Sequence, residues 1–269
     1  MPTVRVSDIE IYYERKGQGA PLLFISGTGG DLRLRPNVLD GPFPALFDTL
    51  AYDQRGFGQS GKPDRAYSMA EYADDAAELL RAIGWEQALV VGVSFGGMVA
   101  QELAIRHPQR VQRLVLACTS PGGEGGASYP FHTLEHMTRQ ERAQHLIPIS
   151  DRRHDAAWAQ AHAEQYERMI AMAAADPFAH EPGHEVGRRR QLEARALHDT
   201  WDRLARIACP TLICAGRYDG IATPETQPRM QSRVAGSELR YFEGGHLFML
   251  QDANAMPAMI EFLREPRSQ

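Results

Sequence analysis

Apolar and polar positions along this chain follow two periods that take turns. Val4–Val6 and Ile9–Tyr13 alternate at period two and predict a β-pair closed by Gly17-Gln-Gly19. Leu22–Ile25 is a short run, apolar throughout, stopped by Ser26-Gly-Thr-Gly-Gly30. That is the pattern of a strand buried on both faces that runs into a glycine-rich loop. Leu50–Asp53 predicts the next strand, ended by Arg55-Gly-Phe-Gly58. Ser68 then caps a helix: Glu71 stands three residues on, and Tyr72, Ala76, Leu79, Leu80 and Ile83 recur at helical spacing up to Gly84. Ala88–Val93 predicts a strand, Met98–Arg106 a helix stopped by His107-Pro108, and Val111–Ala117 another strand. The rhythm returns late in the chain, with strands over Thr211–Ala215 and Leu239–Phe242 and helices over Pro224–Val234 and Met256–Arg264. Strands alternating with helices at this spacing predict an α/β protein: a mostly parallel sheet with helices on both faces.

Between Pro121 and His198 the rhythm stops. Here lie Pro121-Gly-Gly-Glu-Gly-Gly126, helical stretches over Met137–Leu146 and Ala156–Ala174, and the start of another over Gln191–Leu204, with no strand pattern. The segment is too long for a connecting loop. It reads as a helical insertion of residues 121–198 over a core made of residues 1–120 and 199–269.

Composition narrows the class. The 269 residues are 43% hydrophobic and 23% charged, which is ordinary for a globular chain. Area scaling gives a folded surface of roughly 12,000 Å² against about 43,000 Å² unfolded, enough for one large core without disulfides. The net charge of −5 offers nothing to nucleic acid or to an anionic membrane surface. Cys118, Cys209 and Cys214 form neither a metal pattern nor a disulfide framework, which favours a reducing compartment. The start, MPTVRVSDIE, has no apolar stretch of the signal-peptide kind, and runs such as Ala88–Val93 are far too short to span a bilayer. The expected setting is the cytoplasm, with neither membrane nor nucleic acid as partner. All of the 29 basic residues but Lys16 and Lys62 are arginines. Because they are scattered, they read as a solvated surface rather than as an anion site.

The candidate chemistry begins at Gly92-Val-Ser94-Phe-Gly96-Gly97, where a strand ends and a helix begins. A nucleophile at the tip of so sharp a turn crowds the residues two before and two after it, and glycine there removes the clash. The helix N-terminus offers free N–H groups to a developing oxyanion. A serine hydroxyl needs a base, and the base needs an orienting group. Asp219 follows the strand Thr211–Ala215 in Gly216-Arg-Tyr-Asp219, and His246 follows the last strand in Gly244-Gly-His246. Loops at the carboxyl ends of parallel strands converge on one edge of a sheet. The competing readings are a turn residue for Asp219 and a polar loop residue for His246. Asp53 and Arg55 read as residues that tie their own turn together. His132 and His136 have the i,i+4 spacing of a metal pair, but no carboxylate-rich motif accompanies them, so neither metal nor cofactor is expected.

On these motifs the chain resembles the α/β-hydrolase fold family over nearly its whole length. Asp53-Gln-Arg-Gly-Phe-Gly-Gln-Ser60 is similar to that family's D-x-R-G-x-G-x-S turn, and Pro210-Thr-Leu to the usual start of its seventh strand. The resemblance implies an eight-stranded, mostly parallel sheet with a helical cap inserted after the sixth strand. It also implies Ser94 as nucleophile, His246 as base and Asp219 as the acid that orients it. The oxyanion donors would be the N–H groups of Phe95 and, by position, Thr28, where this chain has Ser26-Gly27-Thr28 in place of the family's His-Gly-x. The implied function is a serine hydrolase of a small carboxylic ester or lactone. Its rivals are a C–C bond hydrolase of a vinylogous diketone, a cofactor-free haloperoxidase or perhydrolase, and a non-catalytic small-molecule receptor. The cap's inner face, with Tyr129, Phe131, Trp158 and Tyr166, is expected to close the substrate pocket, and Gly122–Gly126 to allow hinge motion. Against this, the same aromatics suit a small core internal to the cap.

Overall fold

Period-two alternation at the start of the chain produces an antiparallel pair, β1 (Thr3–Val6) and β2 (Ile9–Lys16). Six further strands follow, β3 (Pro21–Ile25), β4 (Asp48–Tyr52), β5 (Ala88–Val93), β6 (Val111–Ala117), β7 (Thr211–Gly216) and β8 (Glu238–Phe242). They form one eight-stranded sheet in the order β1-β2-β4-β3-β5-β6-β7-β8, in which β2 alone runs against its neighbours. The structure, a computed structural model, describes residues 2–265. Met1 and the last four residues of the 199–269 stretch lie outside the described residues.

The central parallel strands β3, β5 and β7 read as nearly continuous apolar runs because both of their faces are covered. Leu23, Val90, Leu114 and Ile213 point to one face, where α1 (Met69–Ala82) and α2 (Phe95–Arg106) contribute Leu79, Leu80, Val99 and Leu103. Their sequence neighbours Leu22, Leu89, Val91 and Leu212 point to the other, against Met259 and Phe262 of the last helix. Each fully buried Leu or Val adds about 1.5–3 kcal/mol over leaving it in water. The cap of α1 forms as its sequence dictates: Ser68 Oγ accepts from Glu71 N at 3.2 Å, and Glu71 Oε2 accepts from Ser68 N at 3.0 Å. Asp53 accepts from the N–H groups of Leu32 (2.7 Å) and Gln59 (2.8 Å), and Arg55 grips Asp75 at 2.7 and 2.8 Å, so the Asp53–Ser60 turn is held by its own charges.

Residues 121–198 carry α3 (Arg139–Ser150), α4 (Ala156–Ala161), α5 (Ala163–Ala174) and α6 (His184–Ala196). The boundaries differ from the sequence expectation in physical ways. Helix α3 runs past Leu146 to Ser150 with Pro148 inside its last turn, so the proline does not stop it. The single helix expected over Ala156–Ala174 breaks at His162, whose backbone leaves the helical region. The helix expected over Gln191–Leu204 ends at Ala196; a 3₁₀ segment over Trp201–Arg206 then leads towards β7. After β7 come α7 (Gln227–Arg233), entered through a 3₁₀ turn at Pro224–Thr226, then α8 (Phe248–Gln251) and α9 (Ala255–Arg264).

The glycine tether is pinned rather than loose. Gly122 N bonds Gly126 O (3.2 Å), and Gly122 also forms a β-bridge with Asp199. Where the chain leaves and rejoins the sheet, Thr200 N donates to Pro121 O at 2.8 Å and Thr200 Oγ1 to Gln101 Oε1 at 2.6 Å. His198 Nε2 donates to Ser120 O at 3.1 Å.

Candidate active site

Strand β5 ends in a residue whose backbone is forced out of the ordinary regions. Ser94 has φ 55° and ψ −115°, a conformation that costs on the order of 1–3 kcal/mol and survives only where the surroundings impose it. Ser94 N bonds Ala117 O on β6 (2.9 Å), and Thr119 Oγ1 bonds Ser94 O (2.8 Å), so both sides of the turn are tied. The flanking glycines are required by space. A Cβ on Gly92 would lie 2.5 Å from Gly96 O, and one on Gly96 would lie 2.0 Å from Ile25 O. Helix α2 starts at Phe95, immediately after Ser94, rather than at Met98; glycines at 96 and 97 hid its first turn from the sequence pattern.

Asp219 and His246, on the loops after β7 and β8, meet at this serine. His246 Nε2 is 2.9 Å from Ser94 Oγ, and His246 Nδ1 is 2.8 Å from Asp219 Oδ2. Asp219 is fully buried, and its second oxygen accepts from the N–H groups of Ile221 (2.7 Å) and Ala222 (3.0 Å). An ionised carboxylate only accepts, so Nδ1 carries the proton and the lone pair of Nε2 faces the serine hydroxyl. Such a chain can take the serine proton and hold the resulting imidazolium against a carboxylate.

Thr28 and Phe95 frame the same serine. Phe95 is the first residue of α2, and a Cβ on Gly27 would lie 3.5 Å from Ser94 Cβ, which brings the Gly27–Thr28 peptide beside Ser94. Gln54 Nε2 bonds Ser26 O (2.8 Å) and Gly29 N bonds Gln191 Oε1 (2.9 Å), fixing the loop from both sides. Thr28 Oγ1 is buried with no hydrogen-bond partner among the described residues.

A cavity of about 440 Å³ lies between this loop and the 121–198 segment, with Thr28, Gly29 and Ser150 among its walls. Of the four aromatics expected there, only Phe131 lines it. Tyr129, Trp158 and Tyr166 are not among its walls, and each has partners away from it. Tyr129 bonds His145 Nε2 through its hydroxyl at 2.7 Å and Ile221 O through its N–H at 2.9 Å. Trp158 lies between the rings of His154 and His162, at 4.2 and 4.7 Å. Tyr166 packs on Ala143, Ile147 and Ile170, a small core internal to the insertion.

The cavity also holds charged groups that the sequence reading passed over as surface arginines: Arg139, Arg142 and Arg188. Arg139 pairs with Asp176 at 3.2 Å, and Arg188 with Glu185 through Nε at 3.0 Å. Arg142 makes no ion pair among the described residues; its Nη2 donates to Met137 O at 3.2 Å, and its Nε is buried without a partner. Arg188 Nη1 is likewise buried and unpartnered. Burial and the neighbouring Arg188 charge push the Arg142 guanidinium below its ordinary value. A signal was present in the spacing. Arg139, Arg142, Ala143, Leu146, Ile147 and Ser150 all line the cavity, and they form one i, i+3, i+4, i+7, i+8, i+11 face of α3.

Among the described residues, no group of three or more His, Cys, Asp or Glu side chains is arranged to hold a metal ion. No helix among them is long and apolar enough to cross a membrane. Cys118 and Cys214 are free and fully buried, and burial pushes both thiols up, which removes them as nucleophiles.

The model of the alpha/beta hydrolase fold family matches residues 20–253. With the strand order above, this means that the chain belongs to the α/β-hydrolase fold family. It is 28% identical to a poly(3-hydroxyalkanoate) depolymerase of Ectopseudomonas oleovorans, over 92% of this chain and 85% of that one. It is also 28% identical to a 2-hydroxymuconate semialdehyde hydrolase of Pseudomonas putida, over 93% and 89% of the two chains. The crystal structure of the enol-lactonase from Burkholderia xenovorans LB400 matches with a TM-score of 0.81 at 25% identity, covering 98% of this chain and 100% of that one.

Proposed function

We propose that this protein is a serine hydrolase of small carboxylic esters or lactones that works through an acyl-enzyme on Ser94. The observation that carries the reading is the continuous chain from Ser94 Oγ to His246 (2.9 Å) to Asp219 (2.8 Å) at a strained turn, with Thr28 beside it in the wall of an open cavity. In this reading Ser94 Oγ attacks the carbonyl carbon while His246 Nε2 takes its proton. The N–H groups of Thr28 and Phe95 receive the oxyanion. His246 then returns the proton to the leaving oxygen, and water, deprotonated by the same imidazole, releases the acid and frees Ser94. Asp219 keeps the imidazole in the required tautomer throughout. The unpaired Arg142 and the free N–H of Arg188 favour substrates that carry a carboxylate away from the scissile bond, since a guanidinium without a carboxylate is otherwise costly to bury.

A fluorophosphonate probe tests the nucleophile without knowledge of the substrate. The wild-type protein is expected to be labelled once per chain and Ser94→Ala not at all; equal labelling of both ends the reading. The p-nitrophenyl monoester of glutarate is expected to be preferred over p-nitrophenyl butyrate, with Arg142→Ala raising KM about tenfold for the charged ester alone.

A further inference from the structure

The short stretch that ends α3 is bonded on both sides to the loops that carry the acid and the base. Ile149 O accepts from Gly220 N at 2.9 Å, and Arg152 N donates to Tyr218 O at 2.9 Å, so the residues before and after Asp219 are both held. Ser150 O accepts from His246 N itself at 2.6 Å. A Cβ on Gly245 would lie 2.3 Å from Ser150 O, so the base loop approaches this helix end as closely as backbone allows. A side-chain relay reinforces the contact. Gln251 Oε1 accepts from Gly245 N at 2.8 Å, and Gln251 Nε2 donates to Asp151 Oδ2 at 3.0 Å. Asp151 is buried, and its carboxylate also accepts from Arg153 N (3.1 Å), Nε (2.9 Å) and Nη2 (2.7 Å). The guanidinium of Arg153 in turn lies 4.6 Å from the Tyr218 ring, on the acid's loop.

From this arrangement we infer that Gln251 and Asp151 are positioning residues for His246: the end of α3 sets the separation of acid and base, so the insertion is part of the catalytic frame rather than only a cover. The inference rests on the serine-hydrolase reading of the same site. Two features support it beyond the contacts themselves. Ile149–Arg152 bonds both loops through its own backbone, so a displacement of α3 moves Asp219 and His246 together rather than one against the other. Gln251 is exposed and belongs to the four-residue α8, so little else in the fold depends on its amide. A group that touches neither substrate nor the reacting atoms affects rate by holding the geometry of those that do, and a misplacement of about 1 Å costs up to about 100-fold.

The test uses the full chain and two readouts: the rate of fluorophosphonate labelling of Ser94, and kcat and KM for p-nitrophenyl acetate. Gln251→Ala removes the relay at an exposed residue and is expected to lower the labelling rate and kcat about 10-fold to 100-fold with KM and Tm unchanged. Gln251→Glu keeps the acceptor for Gly245 N but sets a second carboxylate against Asp151, and is expected to lose as much. Asp151→Asn keeps an oxygen for Gln251 Nε2 and is expected to retain more activity than Asp151→Ala. Should Gln251→Ala and Gln251→Glu both match wild type while Ser94→Ala is inert, the positioning role is wrong and the serine-hydrolase reading stands. Should Ser94→Ala itself be labelled and active, both fall.

Discussion

The sheet body and the insertion achieve order by different means. Around β5 and β6, Val90, Leu114, Val115 and Leu116 are excluded from solvent, and whole helices supply the other side of each contact. The insertion has a core of three buried residues, Ala143, Ile147 and Ile170, while Met172 and Leu197 are 78% and 82% exposed. Its order comes from the body below it: the backbone bonds of Ile149–Arg152, the Arg33–Glu181 pair (2.5 Å), and Gln191 Oε1 accepting from Gly29 N (2.9 Å). The body is therefore ordered by burial and the insertion by docking. A region held by few apolar contacts is free to vary its cavity wall without threatening the fold beneath.

Charge pairs offer the strongest way to break that comparison. In the body, Arg55 and Asp75 have side chains 1% and 2% exposed, and Asp75→Ala removes the bidentate partner of a buried guanidinium that then keeps only the part-exposed Asp8 at 3.1 Å and Glu71 at 3.9 Å. The expected cost is about 3 kcal/mol in urea unfolding, because Asp8 and Glu71 offset only part of the desolvation of Arg55. Between body and insertion, Arg33 and Glu181 are part-exposed, and Glu181→Gln is expected to cost under about 1 kcal/mol. Equal losses in the two variants would show that the insertion is as tightly built as the body.

A second experiment sharpens the comparison at the place where the two regions join. Burial pushes His198 down to about 4, its Nε2 donates to Ser120 O, and its Nδ1 is buried without a partner. The unfolded chain takes up this proton near pH 6.5 and the folded chain only near pH 4. Stability is thus fully present above pH 6.5 and is lost as pH falls towards 4, by up to about 3 kcal/mol. His198→Gln retains a donor for Ser120 O without titrating. The drop in unfolding free energy between pH 7 and pH 4.5 is expected to be about 2–3 kcal/mol smaller in that variant. An identical drop in both proteins would mean that His198 titrates normally.

The smallest effects separate cavity from scaffold within the insertion itself. Phe131→Ala is expected to raise KM several-fold, roughly up to tenfold, whereas Trp158→Ala and Tyr166→Ala leave kcat/KM within about twofold. A changed substrate ranking in Trp158→Ala would restore Trp158 to the pocket.

Legibility in the sequence followed the same division. Strands β3, β5, β6 and β7 announce themselves because burial on both faces demands runs of apolar side chains such as Leu114–Ala117 and Leu212–Ala215, and Gly92 and Gly96 announce the turn at Ser94 because nothing else fits. The loops that bring Asp219 and His246 to that turn could be placed from the order of the strands. The insertion obeys no such single demand. Arg142 is chemically identical to the arginines that face solvent, and only its place on the cavity face of α3 distinguishes it. Trp158 and Tyr166 look like pocket aromatics because ring size says nothing about which surface a ring covers. Gly122–Gly126 reads as a hinge because flexibility is local, whereas the bridge to Asp199 that pins it comes from a residue distant in the chain.

The neck at Pro121 and Thr200 has a consequence for how such chains diversify. Because Pro121 O and Thr200 N are 2.8 Å apart, everything between them begins and ends at one point, as a hairpin loop does. Loop-closure entropy grows only slowly with length, so segments of different size can be spliced there at nearly equal cost to the sheet. Recombination between relatives can then exchange the cavity wall as a cassette, and laboratory chimeras can do the same. The transplant carries one obligation. Whatever replaces the native segment must present two carbonyls and an N–H where Ile149, Ser150 and Arg152 present theirs, or the grafted protein keeps its fold and leaves the loops of Asp219 and His246 without these bonds.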